Sequence, residues 1–128
     1  MQNETLRLWS NAHELLPIMY VEAVNYHLER LEILLSGEDT EKTLKVLFEF
    51  PLSFRVTRES YFFNAFESLG DETLGKVFYM VENSKYIDLF NKWTGNAYPD
   101  WEVKHYAIYV SLDCIDVLSS YPPIIEWV

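Results

Sequence analysis

Alternating apolar and polar residues mark the predicted strands of this chain. Residues 103–111 read VKHYAIYVS, and the residues from Tyr106 to Val110 alternate as in a half-buried strand. Residues 76–82, KVFYMVE, are apolar on both faces, which indicates an inner strand covered on both sides or a strand at a partner contact. The last residues, IIEWV, predict a final strand.

Residues 18–35 fit two patterns. Taken alone, their leucine spacing favours a helix, whereas the alternation around Leu31 and Ile33 favours a strand. A polar, turn-like stretch follows, and residues 44–50 then alternate as a strand should. A strand, turn, strand hairpin over residues 26–50 is therefore the favoured prediction, with the helix left open as its alternative.

Two further features follow the hairpin. Pro51 predicts an interruption of the ladder, because proline cannot donate a backbone hydrogen bond. Phe54, Val56 and Arg58 then alternate with more polar residues and predict another strand.

Capping residues and helical spacing predict up to three short helices. Residues 3–16 form the first, and residues 114–120, CIDVLSS, form the last with Asp113 as its N-cap. Ser84 is an N-cap candidate for the clearest helix, and Gly95 follows its end. The apolar residues of this helix lie at i, i+3, i+4 and i+7: Tyr86, Leu89, Phe90 and Trp93.

Strands outnumber helices, and the helices do not alternate regularly with them. This order predicts an α+β fold, a mostly antiparallel β-sheet with two to three short helices packed on it. The length of 128 residues suits a single domain. We expect one domain over residues 1–128, with an N-terminal helix in residues 1–17 and a sheet-based core in residues 18–128.

Charge narrows the classes of partner. Twenty acidic and ten basic residues give a formal net charge of -10, which disfavours nucleic-acid binding and suits either a basic protein partner or simple solubility. The single cysteine, Cys114, indicates a reducing compartment. Neither a signal peptide nor a membrane-spanning stretch is visible, so we expect a cytoplasmic protein without membrane attachment.

No known catalytic or cofactor motif occurs in the chain, and the predicted site has no catalytic residue, cofactor or metal. His105 and Cys114 invite a base and nucleophile interpretation. Asp113 and Asp116 flank the thiol and oppose thiolate formation, so a buried, inert cysteine is favoured. A small enzyme built on His105 and nearby carboxylates is the third hypothesis for function.

Aromatic residues form 16% of the chain and suggest interface anchors. The alternative for these aromatic residues is that they simply cover the edge of the core. The alternative for acidic residues on the surface is that they form a solvated face with no partner. One candidate partner-binding surface lies in the loop after the clearest helix: Trp93, Tyr98, Asp100, Trp101 and Glu102. The other is acidic: Glu29, Glu32, Glu38, Asp39 and Glu41.

Three segments, VLFEFPLSFRVTRESY, VENSKYIDLF and VKHYAIYVSLDCIDVLSSYPPIIEW, resemble small, acidic bacterial proteins of mixed α and β structure. Some proteins of this type are immunity proteins of polymorphic toxin systems. The resemblance covers roughly residues 26–127 and supplies no catalytic residues. It rests on the Phe-Pro junction, Glu59-Ser60-Tyr61, the helix start from Ser84 to Ile87, His105-Tyr106, Asp113, Ile115 and Asp116.

The resemblance implies a non-enzymatic protein that neutralises a basic toxin domain by covering its surface. The alternative is an interaction or assembly subunit without a toxin partner. Such a subunit would most simply be a homodimer formed through a sheet edge or through the apolar strand at residues 76–82.

Overall fold

The computed structural model shows two antiparallel β-sheets packed face to face, with one helix among the residues it describes. The described residues are 4–8, 19–37, 41–58, 77–98, 101–110 and 113–128. The strands are β1 (Thr5–Leu8), β2 (Met19–His27), β3 (Arg30–Gly37), β4 (Thr43–Glu49), β5 (Ser53–Arg58), β6 (Phe78–Glu82), β7 (Lys104–Val110), β8 (Asp113–Ser119) and β9 (Ile124–Trp127). The helix is α1 (Lys85–Trp93).

The main core lies between the two sheets. The first sheet has the strand order β1-β6-β7-β8-β5 and the second has the order β2-β3-β4-β9. Alternate residues of the central strands point into this core, because successive side chains of a strand face opposite sides. Its buried residues include Leu31, Ile33, Leu35, Leu44, Val46 and Phe48 of the second sheet, and Phe78, Tyr106, Ile108, Val110, Ile115 and Val117 of the first.

The predicted α+β class is wrong, since the described residues form nine strands and a single helix. Residues 114–120, predicted as a helix, belong almost entirely to strand β8, which pairs with β7 and β5. Both faces of β8 are buried, so its sequence lacks the polar alternation that identifies a half-exposed strand. Ile115 faces the other sheet, and Cys114 packs on the opposite side.

The N-terminal helix prediction also fails where it can be compared. Thr5–Leu8, inside the predicted helix 3–16, is strand β1 and pairs with β6. Four residues of edge strand gain their hydrogen bonds from β6, and this long-range pairing leaves no periodic signal in so short a stretch. Residues 9–16 of the predicted helix lie outside the described residues.

Several local predictions are confirmed. The predicted hairpin is present as β3 and β4 over residues 30–49, whereas residues 26–29 end β2 and form the turn before β3. Residues 18–35 thus contribute to β2 and β3 rather than to a helix. Residues 76–82 supply the inner strand β6, which lies between β1 and β7. Helix α1 begins after Ser84, whose hydroxyl accepts the Ile87 N–H, and Gly95 adopts a left-handed φ of 61° after its end.

Two crossovers between the sheets run through described residues, and they lie at the same end of the sandwich. Residues 50–52 lead from β4 to β5, and residues 120–123 lead from β8 to β9. The predicted interruption at Pro51 is thus a change of sheet. Residues 83–98, which contain α1, residues 101–103 and the turn between β2 and β3 lie at this same end, because the strand registers align the ends of their flanking strands there. We call this the crossover end.

No helix within the described ranges is both long and apolar enough to span a membrane.

Candidate functional site

A buried polar network joins α1 to the first sheet beneath the crossover end. His105 Nε2–H donates to Asp116 Oδ1 over 2.6 Å, and its Nδ1 lies 2.7 Å from Ser84 Oγ. Tyr109 donates its hydroxyl to the same Asp116 oxygen over 3.0 Å. Arg55 Nε donates to the other carboxylate oxygen over 3.2 Å. The carboxylate of Asp116 therefore accepts three hydrogen bonds, which offset the cost of burying its charge.

The network extends along Arg55 into the helix. The Arg55 guanidinium lies 4.2 Å from the centroid of the Tyr86 ring, and the Tyr86 hydroxyl forms a hydrogen bond with Ser53. Burial raises the pKa of Tyr86 above its usual value, against the opposing effect of the Ser53 hydrogen bond. Burial, and then the neighbouring Asp116, raise the pKa of Tyr109 far above its usual value. Both phenols are thereby kept neutral inside the fold.

Serine, histidine and aspartate in series have the composition of a nucleophilic triad, but here they position a helix. The Ser84 oxygen accepts the Ile87 N–H over 3.1 Å as the N-cap of α1. All three side chains are buried, which denies a substrate the approach that a nucleophile requires. The ring nitrogens of His105 contact Ser84 and Asp116, so the interpretation that pairs this histidine with Cys114 has no support in the geometry.

Aromatic rings continue from the helix to the surface. Phe90 of α1 stacks on Tyr98 with centroids 5.6 Å apart, and Tyr98 meets Trp101 edge to face at 5.0 Å. Phe90 also packs with Leu118 of the first sheet. Trp101 is 48% exposed, although its ring is held against Tyr98. The surface aromatic is therefore positioned by a continuous stack that reaches the core.

The outer side of α1 is more apolar than its packing requires. Tyr86 and Phe90 are buried as predicted, but Leu89 and Trp93, from the same apolar face of the sequence pattern, are exposed. Trp93 is 68% exposed at the last helical residue. An indole left in water by a helix that already buries two aromatic rings is the kind of anchor that dominates protein interfaces.

The turn between β2 and β3 adds an apolar tip to the crossover end. Leu28 and Glu29 both have a left-handed φ, of 50° and 64°, where two-residue hairpin turns favour Asn-Gly. Phe50 also has a left-handed φ, and its N–H donates to the Glu29 carbonyl over 2.9 Å. Leu28 is 80% exposed and Phe50 is 53% exposed. Residues with side chains held in a left-handed conformation are a backbone feature that clusters at binding and catalytic sites.

Predicted residues from both candidate surfaces meet at the crossover end. Glu29 lies on the hairpin turn, while the aromatic surface occupies the segment around α1. Residues 50–52 connect the two, because the Phe50 N–H donates to the Glu29 carbonyl and Leu52 packs against the same buried cluster under the helix as Tyr98 does. The sequence-predicted residues found at this end are Glu29, Trp93, Tyr98, Trp101 and Glu102.

The remaining predicted residues do not join them. Glu32 lies on the outer face of β3, where Asn25 donates to it over 3.4 Å. Glu41 lies at the opposite end of β3 from Glu29, separated from it by about 23 Å of strand. The acidic candidates therefore do not form one surface. Asp39 and Asp100 lie outside the described residues, as does Glu38.

Sequence reasoning missed several residues of this end. Leu28, Phe50 and Tyr121 are exposed apolar side chains there. In the sequence, Leu28 could have been suspected from a hairpin turn that lacks glycine and asparagine, and Phe50 from the Phe-Pro junction. The sequence pattern predicts Asp116 in a helix, whereas it lies in strand β8. Read as a strand, β8 pairs Asp116 with Ala107, two residues from His105 on the same face of β7.

No protein-family model, curated protein or solved structure matches this chain.

Proposed function

We propose that this protein binds a basic protein partner through the crossover end and acts, without catalysis, as an immunity-type protein that covers a toxin domain in the cytoplasm. One observation carries the proposal. Exposed Trp93, Trp101, Leu28 and Phe50 share one end of the molecule: Trp93 ends α1, Trp101 packs on Tyr98, Leu28 lies in the tight β2–β3 turn, and the Phe50 backbone bonds that turn.

Rigid anchors favour binding because little conformational entropy is lost when they are covered. Trp101 is fixed through Tyr98 and Phe90, and the buried network around Asp116 holds α1, which carries Trp93. Tryptophan is enriched among interface residues whose truncation to alanine costs about 2 kcal/mol or more of binding free energy. The affinity of this surface would thus reside in a few aromatic and apolar side chains.

Charge supports a basic partner. The chain carries a net charge of -10, and Glu29 and Glu102 are exposed beside the apolar anchors. Complementary potentials raise association rates and suppress wrong partners. A toxin domain that degrades nucleic acid must bind phosphates and is usually basic, which makes an acidic neutraliser physically suitable.

The first test compares what the tagged protein captures from its native host with what two variants capture. We expect one basic protein near equal stoichiometry with the unaltered chain, and its loss from the double variant Trp93→Ala, Trp101→Ala. The control variant Tyr20→Ala removes an exposed ring at the opposite end and should retain the captured protein. Equal capture by all three proteins would contradict the proposed surface.

Association kinetics with the captured protein test the role of charge. Glu29→Lys and Glu102→Lys should each lower the association rate and flatten its dependence on salt, because they reverse charges beside the anchors. Glu41→Lys makes the same change in net charge at the far end and should have a smaller effect. Identical rates for the three variants would mean that only net charge matters.

A further inference from the structure

Among the described residues, strand β2 is an edge strand of the second sheet. It is nine residues long, and among the described residues it is paired on one side, with β3. The two-residue turn makes His27 and Arg30 the first hydrogen-bonded pair, and such pairs alternate along an antiparallel ladder. The backbone N–H and C=O groups of Val24 and Tyr26 therefore point away from β3, toward the open side.

In the two sheets as described, the other three edge strands are shorter or carry features that discourage pairing. β1 and β9 have four residues each, and Pro122 and Pro123 directly precede β9. β5 carries Arg55 and Arg58. By contrast, β2 contains no lysine, arginine or proline, the residues that commonly protect exposed edges.

We propose that a second copy of this chain pairs antiparallel with β2 over residues 23–27, joining two four-stranded sheets into one of eight strands. The symmetry axis passes at Asn25, so that Val24 of each copy lies opposite Tyr26 of the other. This register matches the outward backbone groups, because each Val24–Tyr26 pair exchanges two hydrogen bonds. It also places Val24 beside Tyr26, whose side chain is 55% exposed in the single chain.

The charge pattern favours a copy of the chain over a basic partner strand at this edge. Residues 23–27 read AVNYH and contain no aspartate, glutamate, lysine or arginine. Two such strands meet without like-charge repulsion despite the acidity of the whole molecule, whereas a basic strand would find no opposite charge in this stretch. The register irregularity between Val21 and Ala23 limits the pairing to the residues that follow it. Trp93 and Trp101 lie outside the paired stretch.

Sedimentation equilibrium of the purified full chain tests the proposal directly. We expect a species of twice 15.2 kDa at about 50 μM, a concentration at which ordinary specific interfaces are occupied. Asn25→Lys sets two ammonium groups face to face across the axis and should weaken the dimer by at least about tenfold. The matched variant Asn91→Lys, on α1, should remain dimeric.

A cross-linking variant locates the contact. At the symmetry axis the two residues form a pair without backbone hydrogen bonds, whose close Cα atoms suit a disulfide. Asn25→Cys should therefore give a covalent dimer on mild oxidation, while Thr5→Cys, exposed on β1, should not. A monomeric unaltered chain overturns the proposal, as does a dimer that Asn25→Lys leaves intact or Asn25→Cys fails to link. Far-ultraviolet circular dichroism confirms that each variant folds.

Discussion

Replacing Asp116 with asparagine tests whether the buried network holds α1 in place. The substitution keeps the size of the side chain and one oxygen acceptor but removes the negative charge. His105 and Tyr109 both bind Oδ1 and retain an acceptor if the asparagine oxygen takes its place. Arg55 then faces an NH2 group where it previously donated to Oδ2, so its hydrogen bond is lost.

The expected loss in free energy of unfolding follows from the hydrogen bonds that the partners of Asp116 lose. A hydrogen bond to a charged group contributes roughly 1.5–3 kcal/mol. The Arg55 side chain is 38% exposed and recovers part of that by hydration, so we expect Asp116→Asn to lower the free energy of unfolding by about 2 kcal/mol. Asp116→Ala removes the acceptor for all three donors, and we expect a loss of about 4 kcal/mol.

Urea unfolding followed by tryptophan fluorescence measures this effect. With a slope of about 2 kcal/mol per M, the midpoint of Asp116→Asn should fall by about 1 M. The control Asp113→Asn lies on the same strand but is only partly buried, and it should change stability by no more than about 0.5 kcal/mol. Equal midpoints for the two asparagine variants would refute the view that the Asp116 carboxylate anchors the helix.

Three further predictions concern pH and backbone strain. Because folding raises the pKa of Tyr109, the unfolded chain loses this proton first as the pH rises above about 10. The free energy of unfolding should therefore fall there by up to about 1.4 kcal/mol per pH unit. In urea titrations, Tyr109→Phe should make that alkaline slope shallower. Gly95→Ala should cost about 1 kcal/mol by thermal unfolding from its left-handed φ alone, since a Cβ there meets no atom within 4 Å; a neutral result would contradict the strain argument. The double variant Leu28→Asn, Glu29→Gly should raise stability by about 1 kcal/mol, because both residues suit the left-handed turn, and it should weaken partner capture; a destabilised variant would show that the turn is not strained.

Local patterns predicted those elements whose two faces differ or whose ends are capped. The hairpin at β3 and β4 was predictable because its core-facing residues alternate with more exposed ones. Helix α1 was predictable because Ser84 and Gly95 mark its ends. Strand β8 was not, since burial on both faces removes the alternation and leaves Asp113 looking like a helix cap.

The candidate site was likewise predictable only in part. The exposed tryptophans and Glu29 were recognisable as candidate partner-binding residues from residue type, and their role in binding stays a prediction. Their meeting at one end was not recognisable, because it depends on residues 50–52 crossing between the sheets and on Phe50 bonding the Glu29 carbonyl. The length of β3 separates Glu41 from Glu29, although both belong to one acidic stretch of sequence.

The sequence by itself determined the acidic charge, the excess of strands and the capped helix, because composition and short-range periodicity are properties of neighbouring residues. Only the tertiary structure decided that Asp116 meets His105, Tyr109 and Arg55. These contacts join residues up to 61 positions apart, and they exist because strand register brings distant segments to the same face. Register is set by burial of the whole core, which no local pattern encodes.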